Sequence, residues 1–184
     1  MSTAKRGVGQ SKARAAAKRT TKRAKASTAK RASTRAPKRA KVLPLHLDVV
    51  DRGRPRTDRT FLQQVVRAAL DFAQRPDLHV SLLLTDDAEI AQVHADFLDD
   101  PTPTDVISFD LDGAAELVVS VETAKRTAKS QGHALRAEVA LYVVHGILHV
   151  CGFDDIRPRD RVRMRAAERA VLQRLALHVG AVDA

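Results

Sequence analysis

The chain has 184 residues, with 32 Lys and Arg against 22 Asp and Glu and a formal net charge of +10, a length that fits one domain plus extensions. The charge is uneven: residues 1–42 hold 15 of the Lys and Arg and no Asp or Glu, leaving 17 basic and 22 acidic side chains on residues 43–184. That distribution excludes a uniformly basic nucleic-acid-binding body. The single cysteine, Cys151, excludes an internal disulfide framework.

No apolar run approaches the roughly 18 residues of a membrane span. No apolar segment follows the charged N-terminus, so no secretory signal is expected and a reducing cytoplasm fits. Residues 1–42 are Ala, Lys, Arg, Ser and Thr in irregular order, with almost no large apolar side chain. Such a stretch cannot offset the entropy of ordering and is read as a disordered basic tail, favoured as a contact to a polyanion over a solubilising extension with no specific partner.

From Leu43 the pattern changes. LPLHLDVV alternates apolar and polar and reads as a strand. Asp58 is placed to cap a helix over Thr60–Gln74, and Leu78–Leu84 reads as a second strand. Thr85 or Asp86 caps the next helix, with Ile90, Val93 and Phe97 expected on its core face. Pro101 and Pro103 make DDPTPT irregular. Asp105–Leu111 and Glu116–Val121 read as strands joined at Asp112-Gly113. A helix over Glu122–Gln131 ends at Gly132, a long apolar helix runs over Leu135–Cys151, and Pro158 opens a last helix reaching about Val179. The class is α/β, with a mixed four-stranded sheet packed with helices and one central buried helix.

On that long helix Glu138, Tyr142, His145 and His149 fall within about 60° of one another, while the remaining surface is apolar almost all round. Polar groups on a buried helix need partners. His145 and His149, one turn apart, can both reach one zinc ion, and Gly152 lets the chain turn back so that Asp154 or Asp155 meets it. Two imidazoles and a carboxylate leave a fourth position for water, the arrangement of catalytic zinc. Glu138 and Asp154 are candidates for acid–base work, although Glu138 lies about 10.5 Å along the axis from His145 and a salt bridge with Arg136 or another Arg is expected for it. His133 is read as a cap or surface residue. The arginines of the last helix are spread round it as a solvated basic face.

The run His145-Gly-Ile-Leu-His149-Val-Cys-Gly152-Phe-Asp154-Asp155 resembles HGxLHxxGYDH, the signature of the YbeY family of bacterial endoribonucleases, and Pro103-Thr104-Asp105-Val106-Ile107-Ser108-Phe109 resembles that family's PTDVLSF. Glu116–Ser120 is similar to its GDIVIS strand, and Met164, Glu168 and Leu172 fall where its last helix has such residues. The resemblance spans about Leu43–Leu177. It implies that Asp155, at the position of the family's last His, is the third ligand, and that Thr104, Asp105 and Ser108 line the cleft. Where the family has YRxKD, this chain has Phe97-Leu98-Asp99-Asp100-Pro101.

The expectation is a cytoplasmic endoribonuclease directed at single strands, with one zinc per chain, acting in rRNA maturation and ribosome quality control on the small subunit or its rRNA. Residues 43–184 are its hydrolase domain and residues 1–42 its tail. The rival readings are a metal-dependent hydrolase of another substrate, and a non-catalytic ribosome- or RNA-binding protein with structural zinc. Gly146 stands where an HExxH peptidase has its general-base Glu, which argues against that class.

Overall fold

A computed structural model of the chain describes residues 44–180. The tail assigned to residues 1–42 lies outside the described residues. Four strands, β1 (Leu47–Asp51), β2 (His79–Thr85), β3 (Val106–Asp110) and β4 (Ala114–Ser120), form one sheet in the order β1-β2-β4-β3. β1 and β4 each run parallel to β2, and β3 is antiparallel to β4. Asp112 and Gly113, with φ of 47° and 93°, make the two-residue turn of the β3–β4 hairpin. The mixed four-stranded α/β architecture is as the sequence implies.

The described residues also form five helices, α1 (Arg59–Phe72), α2 (Asp87–Leu98), α3 (Val121–Gln131), α4 (Leu135–Val150) and α5 (Pro158–Arg174), the last packed on α1 and α4. Asp58 caps α1 by accepting from the Phe61 amide at 2.7 Å, and Asp86, not Thr85, caps α2 through the Glu89 amide at 2.9 Å. The period of two along β4 sorts its side chains between two cores. Ala115, Leu117 and Val119 join the large core shared with α1, α4 and α5, whereas Val118 joins Ile90 and Ile107 beneath α2.

Two expectations need correction. Phe97 is 68% exposed rather than in the core; it packs edge-on against Phe109 instead, with ring centroids 5.2 Å apart. The last helix stops at Arg174, about a turn short of Val179. There Ala176 takes φ 53°, its amide bonds to Gln173 O at 3.1 Å and the Leu177 amide bonds to Leu172 O at 3.0 Å. This is a Schellman termination with alanine at the position where glycine usually signals it.

α4 packs across β4 and the edge strand β3. Gly146 is what lets it lie so close: a Cβ there would fall 2.6 Å from Leu117 Cδ2 and 3.1 Å from Val106 Cγ2. Close seating on β3 and β4 is thus the reason for this glycine, and it fixes how far the imidazole of the preceding residue stands above the sheet. Among the described residues no helix is long and apolar enough to cross a membrane.

Candidate metal centre

α4 ends in a second Schellman motif, this time with glycine where the sequence implies it. Gly152 has φ 88°, its amide bonds to His149 O at 2.9 Å, and the Phe153 amide bonds to Leu148 O at 3.0 Å. The turn drives the Phe153 ring against Phe72, with centroids 6.2 Å apart. It also brings the Phe153 carbonyl to 3.1 Å from His149 Nδ1. A carbonyl can only accept, so His149 Nδ1 carries the proton.

His145 is oriented from the other side. Glu168 on α5, 7% exposed, accepts from His145 Nδ1 at 2.6 Å. A buried carboxylate needs such a partner, and an imidazole so held keeps its Nε2 lone pair free. Both Nε2 lone pairs therefore point into the same space, and the two atoms lie 2.9 Å apart. At that separation either a proton on one Nε2 bridges to the other or a cation in the shared space is ligated by both. Asp155 completes the group, with one oxygen 3.7 Å from His149 Nε2 and the other 3.9 Å from His145 Nε2. Among the described residues, His145, His149 and Asp155 are the one set of three donor groups, all within 4.8 Å of one another, suited to hold a metal ion. Nitrogen, nitrogen and carboxylate oxygen fit a zinc ion.

The electrostatics agree. Burial alone would lower the His145 imidazole pKa, but the Glu168 bond and the charges of Glu168, Asp105 and Asp155 leave it above its ordinary value. The same carboxylates attract a metal cation to this ring, which a proton at Nε2 opposes.

Asp154 does something else. Its Oδ1 accepts from the amides of Asp155 at 2.7 Å and Ile156 at 3.1 Å. Those bonds, the Ile156 one foremost, hold its carboxyl below the usual aspartate value. Asp154 shapes the loop that presents Asp155. The loop is further held by Arg161, whose guanidinium donates to Asp155 O at 3.1 Å.

The metal group sits at the junction of two clefts. One, of about 410 Å³, runs between α3, α4 and α5 and includes Asp105, Glu138, Tyr142, His145, Asp155 and Glu168. The other, of about 660 Å³, opens toward α2 and β3 and includes Thr104, Ser108, His145, His149, Asp154 and Asp155. The stripe read from α4 thus stays together, and Thr104, Asp105 and Ser108 all reach the site, though on two sides of it.

Glu138 is 2% exposed and pairs with His133, not with an arginine; Arg136 lies over the Phe61 ring instead, 4.0 Å from its centroid. His133 is correspondingly half-buried, its side chain 9% exposed, rather than a surface residue. The Gly180 amide donates to its Nδ1 at 3.0 Å, so its Nε2 proton goes to Glu138. Glu168 was not singled out as a site residue by sequence reasoning. Its signal is a glutamate four residues from Met164 and from Leu172, on the apolar stripe of a helix. A buried acid of that kind asks for a basic partner.

A family model described as Endoribonuclease YbeY matches residues 51–176. The chain belongs to the YbeY family. It is 35% identical over 136 residues to the endoribonuclease YbeY of Heliobacterium modesticaldum, covering 63% of this chain and 82% of that one. To the Rhodopirellula baltica endoribonuclease YbeY it is 39% identical over 132 residues, 67% of either chain. The fold also matches the solution structure of a Thermotoga maritima protein with a TM-score of 0.53 at 20% identity, covering 71% of this chain and 91% of that one.

Proposed function

We propose that the chain is a zinc-dependent endoribonuclease that cuts single-stranded RNA during rRNA maturation and ribosome quality control in the cytoplasm. Residues 43–184 form its catalytic domain, and residues 1–42 form a basic tail that contacts the RNA or the small subunit. The observation that carries this reading is the convergence of the two Nε2 lone pairs beside Asp155, in a chain whose relatives are named endoribonucleases.

His145, His149 and Asp155 are the ligands in this reading. The chemistry a zinc ion supplies with such ligands is Lewis acidity toward a phosphodiester oxygen and toward water. Glu168 and the Phe153 carbonyl hold the Nδ1 protons and so keep the imidazoles in the ligating tautomer. Asp155 brings a negative charge that a third imidazole would lack, which tempers the acidity of the ion. Asp154 is assigned to the loop rather than to proton transfer. Glu138, which accepts from His133 Nε2 in the cleft that includes His145, is the group we assign to acid–base work.

The test is cleavage of a small-subunit rRNA precursor, with and without chelator, by the wild-type chain and by His149→Ala. Zinc-dependent cuts in single-stranded segments by the wild type alone are expected. A second reading, a metal-dependent hydrolase of another substrate, draws on the apolar and acidic run Leu98-Asp99-Asp100 beside the wider cleft. Zinc-dependent activity confined to non-RNA esters would select it, and zinc with no activity would select a binding protein with structural metal.

A further inference from the structure

The two walls of the site differ in charge. The wall toward α2 and β3 includes Leu98, Thr104, Ser108 and Asp110, and no lysine or arginine. Its one basic side chain, His94, has Nδ1 committed to Thr102 O at 2.8 Å. Asp99 and Asp100 follow Leu98 directly in the chain. The wall formed by α5 is the reverse. Arg161 and Arg165, one helical turn apart, both line the cleft that holds His145 and Asp155.

Arg165 is the uncommitted one of the pair. Asp160, the first-turn acid of α5, lies 4.0 Å from Arg157 and 3.9 Å from Arg163, and Glu168 is taken by His145. Among the described residues Arg165 has no ion pair. A partly buried guanidinium in a cleft of carboxylates, with its neighbouring acids already engaged, is a site for a further anion.

We propose that Arg165, assisted by Arg161, holds the RNA phosphate next to the one at the metal centre, so that the strand runs along α5 and away from the α2–β3 loop. This assignment rests on the endoribonuclease reading. Arg161 has a second task, since it also holds the Asp155 loop, and Arg165 is therefore the residue to vary.

The experiment measures binding of the zinc-loaded full chain to a short labelled oligouridylate protected from cleavage by 2′-O-methyl groups, across a range of salt. Arg165→Gln is expected to weaken binding about tenfold, the scale of one lost charge-assisted contact. It should also reduce the slope of log affinity against log salt by about 0.7, one single-strand phosphate. Arg165→Lys should keep part of the affinity, Arg59→Gln on α1 should change nothing, and every variant should keep its zinc. Unchanged affinity and slope in Arg165→Gln would overturn the assignment while a wild type that cuts unprotected RNA leaves the endoribonuclease reading standing. A wild type that neither binds nor cuts RNA would overturn both.

Discussion

His145 Nδ1 and the Glu168 carboxylate meet at 2.6 Å, joining the helix that carries the imidazole pair to the last helix of the fold. The bond fixes the tautomer and the ring plane of His145 at once. Glu168→Gln keeps the size but removes the charge, and an amide can present its NH2 to the ring. Zinc affinity is expected to fall about 10–100-fold, as for other lost partners of ligand histidines. Competition against a calibrated chelator measures it, and an unaltered affinity would separate Glu168 from the metal centre.

Asp155 and Asp154 are neighbours with different work. Asp155→Ala should lose zinc affinity and Asp155→His should retain it, because an imidazole is also a suitable donor. Asp154→Ala should lower affinity less than Asp155→Ala, since it removes only the bonds to the Asp155 and Ile156 amides. Isothermal titration with zinc orders the three variants. A larger loss for Asp154→Ala than for Asp155→Ala would reverse the assignment.

Gly152 sets the exit from α4 with φ 88°. Gly152→Ala puts a side chain in the left-handed region at a cost of about 1–2 kcal/mol. The Phe153 carbonyl that holds His149 should shift with it. Lower thermal stability together with weaker zinc binding is the expected pair of results, and loss of stability alone would show that the turn does not position the ligand.

Much of this site is legible in the sequence, because helical spacing brings His145 and His149 to one face and a glycine marks where the helix turns back. The partners that hold the imidazoles are less so. Glu168 is remote in the chain and reads as one charge among the arginines of α5 until that helix is packed against α4. The His133–Glu138 pair depends on the α3–α4 connection and on Gly180, which no local pattern reveals. Phe97 follows the apolar period of α2 yet stays 68% exposed, packed edge-on against Phe109 of the edge strand β3. The end of α5 is missed because alanine adopts the left-handed turn usually marked by glycine.

Asp87 offers a test of the fold away from the metal. Its carboxylate accepts from Ser120 Oγ at 2.5 Å and Thr123 Oγ1 at 2.7 Å, and it pairs with Arg126, tying α2 to the start of α3. Burial alone would raise its pKa, but the bonds from Arg126, Ser120 and Thr123 bring it below 3.8. A depressed folded value stabilises above the unfolded value and is lost as pH falls through the folded one. The gap in melting temperature between wild type and Asp87→Asn should therefore be widest near neutrality and narrow below about pH 3.8. A gap that stays constant from acid to neutral pH would contradict the ion network.

The convergence of His145 and His149 on one metal ion is tested most directly by elemental analysis of the purified full chain after zinc loading and exhaustive buffer exchange. About one zinc per chain is expected in the wild type, with none retained by the His145→Ala, His149→Ala double variant, whose circular dichroism should still show the helices. Full zinc in the double variant, or none in a folded wild type, would contradict the site.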